Sequence, residues 1–348
     1  MKQVAAWLRM VADGGDYPFP TSEASYNANL DKIDLVFPTN GGKLQADGSW
    51  LQESWAIDPD WPQSVPEIAA ANGHTYIPSV FGSTSTGILT VLDSPSLQAT
   101  AASNLVTLAT SGRFDSPWDG VMFDLEQIPS SYQSKLSTFY TSLCEAVRSE
   151  GLLAGIWSRG RTGDSGPDYD EAYTNDFTVL GQVGDFVDMG CYSYWKPIPR
   201  SAGPYWWQRA CIDYALSKGI QPRRLRLGCG LYSGYWEVED GGGGYGTTHA
   251  KALELADGFS IDWIESNVNG VVREYYADLG AGCVWLHDDE TLPHRLDLVD
   301  EYGLAGAHLF ALGAEDDGVW QAIADWKRPA PREQRPTDRF YQAPNWCG

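Results

Sequence analysis

The sequence predicts an α/β chain folded as a (β/α)8 TIM barrel with a small α+β insertion between strands seven and eight. Three observations predict it. Short apolar runs with strand character alternate with amphipathic, helix-like stretches, and the alternation recurs eight times. A length of 348 residues suits one large barrel without requiring a second domain. One segment, 234–289, is too long for a strand-to-helix loop and breaks the alternation.

Taken in order, the candidate strands are VAAWLRM (4–10), KIDLVFP (32–38), HTYIPSVF (74–81) and GVMFDLE (120–126). They continue with LLAGIWS (152–158), DFVDMGCYSY (185–194), LRLGCGLY (225–232) and GAHLFAL (306–312). Four clear helical patterns lie between them, at 96–111, 132–151, 205–219 and 291–303, and the last three close on a glycine, as helix C-termini do. The 234–289 segment holds the helical HAKALELAD and two strand-like runs, REYYAD and CVWLHD, which motivates the α+β reading. Residues 1–328 thus form the barrel with its insertion, and 329–348 form an extended Pro-rich tail.

Charge and composition narrow the function. The net charge of −22 sets the surface against nucleic acid and anionic membranes, and fits a neutral polymer or a small ligand. No apolar run is long enough to span a membrane. The opening MKQVAAWLRMVADGG is too short and polar for a secretory signal and reads as the first strand. The expectation is a secreted, cell-wall-associated or phage-particle protein rather than a purely cytoplasmic one. Cysteines 144, 191, 211, 229, 283 and 347 show no C-x-x-C pair and read as small core residues. The five scattered histidines form no metal-ligand spacing, so no metal site is expected.

The fourth strand carries the chemistry. On a strand, alternate side chains share a face. Val121, Phe123 and Leu125 then pack outward against helices, while Gly120, Met122, Asp124 and Glu126 point into the barrel. Glu126 sits uppermost, at the C-terminal end where barrel active sites lie. Asp124 lies one layer deeper, about 6–7 Å along the strand. Two inward carboxylates must share a proton or be hydrogen-bonded, which raises the pKa of one into the range of a working general acid. Alternatively, one of them pairs with an arginine such as Arg9 or Arg159. Asp119, at the strand entrance, reads as structural.

DGVMFDLE resembles the D-G-x-D-x-D-x-E motif of family 18 glycoside hydrolases, (β/α)8 barrels that include chitinases and peptidoglycan N-acetylglucosaminidases. DFVDMGCYSYW is similar to that family's sixth strand with its M-x-Y-D, and RLRLGCGLYSGYW to its seventh. The segment from CVWLHDD to VWQAI resembles the closing part of the spore-cortex and YaaH-like branch. The likeness covers residues 4–326. It implies a retaining hydrolase for β-linked N-acetylhexosamine glycan, peptidoglycan or chitin-like, in which the substrate's own acetamido group is the nucleophile. It implies Glu126 as general acid/base, Asp124 as the group holding the acetamido N–H, and Tyr192 as donor to its carbonyl, with a polysaccharide as partner and no metal or cofactor required.

Three positions depart from the family pattern. Met122 replaces a polar middle residue, Ser193 replaces the Asp after Tyr192, and Phe310 replaces a Trp expected beneath the sugar. Trp195 and Tyr232, at strand ends, are further candidates for sugar contact, together with Met122, Ser193 and Phe310. Two other readings follow from the departures. One is a barrel glycosidase adapted to another sugar. The other is a glycan-binding or structural barrel with weak or no hydrolase activity.

Overall fold

The computed structural model describes residues 2–11, 19–52, 60–111, 116–165, 170–192, 194, 200–201, 203–237, 244–265, 272–280 and 282–328. The Pro-rich tail lies outside them. In chain order the strands are β1 (Gln3–Leu8), β2 (Leu35–Pro38), β3 (Gly42–Leu44), β4 (Trp50–Leu51), β5 (Thr75–Tyr76), β6 (Ser79–Gly82), β7 (Gly120–Leu125) and β8 (Leu153–Arg159). They continue with β9 (Phe186–Gly190), β10 (Leu225–Gly230), β11 (Ser233–Glu237), β12 (Gly244–Thr247), β13 (Ile261–Glu265), β14 (Arg273–Asp278), β15 (Gly282–Leu286) and β16 (Gly306–Phe310).

The larger sheet runs β4-β3-β6-β7-β8-β9-β10-β16-β1-β2-β5, and every ladder in it is parallel except the β3–β4 hairpin. Its two flanks converge on one stretch of chain. Tyr76 of β5 and Ser79 of β6 are separated by Ile77 and Pro78 alone. On one side the Ile77 N–H donates to Val36 O at 3.0 Å. On the other, the Asp119 and Met122 N–H groups donate to Tyr76 O at 2.9 Å and Pro78 O at 3.1 Å. The sheet is therefore strongly curled. Pro78 has no N–H to donate, which interrupts the third strand into two short pieces. Asp119 is structural, its Oδ2 accepting the Tyr76 N–H at 2.8 Å.

The two faces of β7 pack as alternation requires. Val121, Phe123 and Leu125 join the outer core, with Leu136, Phe139 and Leu143 of the helix Gln133–Ser149. Met122 instead joins the inner cluster with Trp7, Phe37, Ile77, Trp157 and Phe186. The register explains its surroundings. Met122 lies beside Gly155, and Gly155 beside Phe186. A Cβ on Gly155 would come within 2.3 Å of the Phe186 ring, so the glycine makes room for that ring inside the sheet's curve. Below it, toward the N-terminal end, the buried Arg226 pairs with the buried Asp188 at 3.0 Å and donates to Gln3 Oε1 at 2.8 Å.

The predicted helices fall at Pro95–Ser111, Gln133–Ser149, Tyr205–Ser217 and Leu292–Tyr302. Gly303 caps the last of these at φ 62°, a left-handed conformation glycine adopts without Cβ strain. The sequence reading lacked the β3–β4 hairpin, which turns through Asp47–Gly48 and extends the sheet beyond β6. It also ran the sixth strand to 194, whereas β9 ends at Gly190 and the chain leaves the sheet there.

Over 233–286, nearly the segment 234–289 singled out in the sequence, the structure forms a separate five-stranded antiparallel sheet, β12-β11-β15-β14-β13, which lies in the chain between β10 and β16. The short helix His249–Leu255 packs on it through Ala252 and Ala256, against Ala277, Val284 and Leu286. A buried polar knot ties it to the larger sheet's helices and loops. Glu274 of β14 pairs with Arg295 at 3.0 Å and accepts the Tyr205 N–H at 3.0 Å. His287 Nε2 is 2.8 Å from Ser201 Oγ, and Arg295 also donates to Gly203 O at 3.1 Å.

Candidate active site

Parallel strands of a curled sheet deliver their last residues to one rim, and β7 delivers Asp124 and Glu126 there. The Glu126 N–H is still held by Gly82 O at 2.9 Å, so the residue is placed by strand geometry although it lies just past the ladder. Asp124 is partly exposed, but its Oδ1 is buried without a hydrogen-bond partner. Burial and the neighbouring Glu126 push its pKa well above the usual carboxylate range, against the opposing charge of Arg159. Burial also raises the pKa of Glu126; Arg159 opposes the rise and Glu171 reinforces it. Two facing acids that resist ionisation are the arrangement from which a general acid is made.

Of the two arginines considered as partners, Arg159 at the end of β8 is ion-paired with Glu171 at 2.7 Å. Arg9 stacks over the Phe19 ring at 5.1 Å. A cleft of about 330 Å³ opens beside Asp124, bordered by Arg9, Asn40, Lys43, Phe81 and Phe310.

Tyr192 follows β9 and lies buried close enough to Asp124 and Glu126 to feel their charges. Its ring stacks on Phe310, with centroids 5.3 Å apart and planes 6° from parallel. Its hydroxyl accepts the Trp157 indole N–H at 2.9 Å. An indole nitrogen can only donate, so the Tyr192 hydroxyl accepts there and its own hydrogen remains available to a further acceptor. Burial raises its pKa well above the usual phenol range; the Trp157 bond opposes this, while Tyr232, Asp124 and Glu126 add to it. The phenol therefore keeps its proton.

The remaining candidates occupy different settings. Phe310 borders the cleft. Tyr232 is 4% exposed, and its hydroxyl donates to Tyr192 O at 2.6 Å, so it braces the Tyr192 backbone. Met122 is fully buried in the inner apolar cluster and presents no surface to a ligand. Ser193 and Trp195 lie outside the described residues. Sequence reasoning missed Trp157, which lies inside an apolar run that reads as core. It missed Glu171 too, whose proximity is purely tertiary. Among the described residues no cluster of His, Cys, Asp and Glu is placed to hold a metal ion, and no helix is long and apolar enough to cross a membrane.

Known proteins place this geometry in context. No protein-family model matches the chain. It is 22% identical over 224 residues to a Bacillus subtilis (strain 168) protein named uncharacterized glycosylase YvbX, with 63% of each chain covered. The chain thus spans less than two thirds of that relative's length. Among solved structures it resembles a chitinase from Chromobacterium violaceum, with TM-score 0.77, 20% identity, and coverage of 95% of this chain and 100% of that one. It also resembles the spore cortex-lytic enzyme SleL of Bacillus megaterium, with TM-score 0.74, 18% identity, and coverage of 95% and 75%. A family 18 N-acetylglucosaminidase from Paenibacillus barengoltzii matches with TM-score 0.71, 15% identity, and coverage of 94% and 100%. At these identities the likeness is one of fold: the chain has the mixed α/β architecture, with its large curled parallel sheet, that these proteins share.

Proposed function

We propose that the chain is a retaining glycoside hydrolase of the family 18 type, cleaving β-linked N-acetylhexosamine glycan such as peptidoglycan or chitin-like polymer. The observation that carries this reading is the pairing of Asp124 and Glu126, both raised in pKa, beside a tyrosine whose hydroxyl hydrogen is left to donate. The names of the similar proteins, a glycosylase, a chitinase, a cortex-lytic enzyme and an N-acetylglucosaminidase, support it. In architectural terms, the segment 75–82 closes the large sheet into a (β/α)8 barrel, and the five-stranded sheet is an α+β insertion between its seventh and eighth strands.

Glu126, held protonated, gives its proton to the glycosidic oxygen as the bond breaks. The substrate's acetamido carbonyl oxygen attacks the anomeric carbon and forms a cyclic oxazolinium intermediate. Asp124 accepts the acetamido N–H through its unpartnered Oδ1 and orients the acetamido group for attack. The Tyr192 hydroxyl donates to the acetamido carbonyl and turns it toward the ring. Glu126, now a carboxylate, takes a proton from the water that opens the intermediate, and the anomeric configuration is retained. Phe310 supplies an aromatic face in the cleft.

A second reading, a glycan-binding barrel without turnover, is favoured by Met122. Its thioether stands one layer beneath Asp124 where a hydrogen-bonding group would steady the resting carboxyl group, and Asp124 Oδ1 is indeed unpartnered. The test is incubation of the purified protein with chitooligosaccharides and with peptidoglycan, followed by assay of new reducing ends. Cleavage inhibited by a thiazoline mimic of the intermediate supports the first reading. Binding with no new ends supports the second.

A further inference from the structure

Glu171 lies on the loop after β8, in the short turn Asp170–Tyr173. Its carboxylate joins two contacts. One oxygen pairs with Arg159 Nη2 at 2.7 Å. The other accepts the backbone N–H of Gln127 at 3.1 Å. Gln127 immediately follows Glu126 and has φ 55°, a left-handed conformation that side-chain-bearing residues rarely adopt. The same turn grips the rest of the loop that carries Glu126. Asp170 accepts the Ser130 N–H at 3.0 Å and the Ser130 hydroxyl at 2.6 Å. Gln133 donates to Tyr173 O at 2.7 Å, and the Thr174 hydroxyl donates to Ile128 O. One loop thus clamps the next, and Glu171 is the contact nearest the acid in the chain.

We propose that Glu171 is a positioning residue for Glu126: it holds the left-handed Gln127 peptide that aims the Glu126 side chain, and its carboxylate, paired with Arg159, offsets the pull of that guanidinium on Glu126. The inference rests on the reading of Glu126 as general acid/base. The groups acting on Glu126 come from several elements: Asp124 from its own strand, Arg159 from β8, Glu171 from the turn, Tyr192 from the end of β9 and Tyr140 from the helix Gln133–Ser149. The adjacent β6 contributes no charge, only Ser79, Val80, Phe81 and Gly82. Arg159 is the one cation in this set and favours ionised acids; Glu171 opposes it. Glu171 itself repels a charge on Glu126, so removing the Glu171 charge lets Glu126 give up its proton at lower pH.

Two variants separate positioning from charge. Glu171→Gln keeps an oxygen for the Gln127 N–H and loses the charge; Glu171→Ala loses both. Two readouts are taken on each. One is kcat/KM against pH on whichever glycan the native protein cleaves. The other is the carbon-13 NMR titration of the Glu126 carboxyl, assigned with Glu126→Gln, which requires no turnover. In both variants the alkaline limb and the carboxyl titration are expected to move to lower pH. Glu171→Ala is also expected to lose about 10²-fold in kcat, the scale of a catalytic group displaced by about an ångström. An unmoved limb and an unmoved titration, with only thermal stability reduced, would show a structural contact and overturn the proposal. If the native protein cleaves no glycan yet the Glu126 titration still shifts in Glu171→Gln, the enzymatic reading fails while the electrostatic role of Glu171 stands.

Discussion

Asp124 and Glu126 are unfavourable for the fold when ionised, the condition under which a carboxyl can serve the general-acid role proposed above. The sign of the effect follows from the raised pKa values. Their stabilising protonated forms are fully present below the ordinary carboxylate range, and stability is lost as pH rises through the raised values. Asp124→Asn is therefore expected to have a higher Tm than the native protein at pH 8 and little advantage at pH 4, while turnover falls. Differential scanning calorimetry at the two pH values checks this. Tyr192→Phe keeps the ring stacked on Phe310 but leaves the buried Trp157 N–H without its acceptor. The expected cost is about 1–3 kcal/mol in unfolding free energy. Loss of the donor to the acetamido carbonyl is expected to lower kcat about 10²–10³-fold, read from denaturant melts and initial rates respectively. Met122 is explained by packing. Beside Gly155 and the Phe186 ring it faces an interior built of apolar side chains, where a polar residue would need a partner.

At the level of elements, the strands were legible because their signal is local. Each run such as VAAWLRM or GVMFDLE carries its own hydrophobic pattern, and all eight predicted segments contain strand. The two faces of β7 followed from period-two alternation, so Asp124 and Glu126 were found without a structure. What stayed hidden depends on distant partners. The β3–β4 hairpin is only three and two residues long, too short for periodicity to register. The breaks in the third and sixth strands arise from Pro78 and from the exit of the chain after Gly190. Trp157 and Glu171 reach the candidate site only through partners 35 and 44 residues away in sequence. The small sheet's attachment is equally non-local, and it has a pH signature. Burial, with the help of Arg295, pushes the His287 imidazole down to about 4. A depressed histidine contributes stability that is present above its ordinary value of 6.5 and is lost as pH falls toward 4. Glu274 beside it is held below its usual range: burial would raise it, but Arg295, His287, Ser201 and the Tyr205 N–H outweigh that, so its contribution is lost at still lower pH. Stability to urea is expected to fall by up to about 3 kcal/mol between pH 6.5 and 4 through His287, the equivalent of its shift. His287→Gln is expected to flatten that slope. An unchanged slope would remove the small sheet's polar knot from the explanation.

At the scale of the whole molecule, the layout divides the work. The curled parallel sheet supplies a rigid rim, its inner apolar cluster fixes Tyr192 and Trp157, and the loops after β7 and β8 lock together around Glu126. The chain as a whole carries a net charge of −22, yet the cleft beside Asp124 is bordered by Arg9 and Lys43. The proposed chemistry turns on Glu126 at the rim, whose pKa burial raises. The most direct measurement is the release of reducing ends from chitooligosaccharides and peptidoglycan by the native protein and by Glu126→Gln, at matched folding by circular dichroism. The expected result is cleavage of at least one of these glycans by the native protein and a loss of at least about 10²–10⁴-fold in kcat in Glu126→Gln, the range general acid–base catalysis supplies. Equal cleavage by the two proteins would contradict the assignment of Glu126.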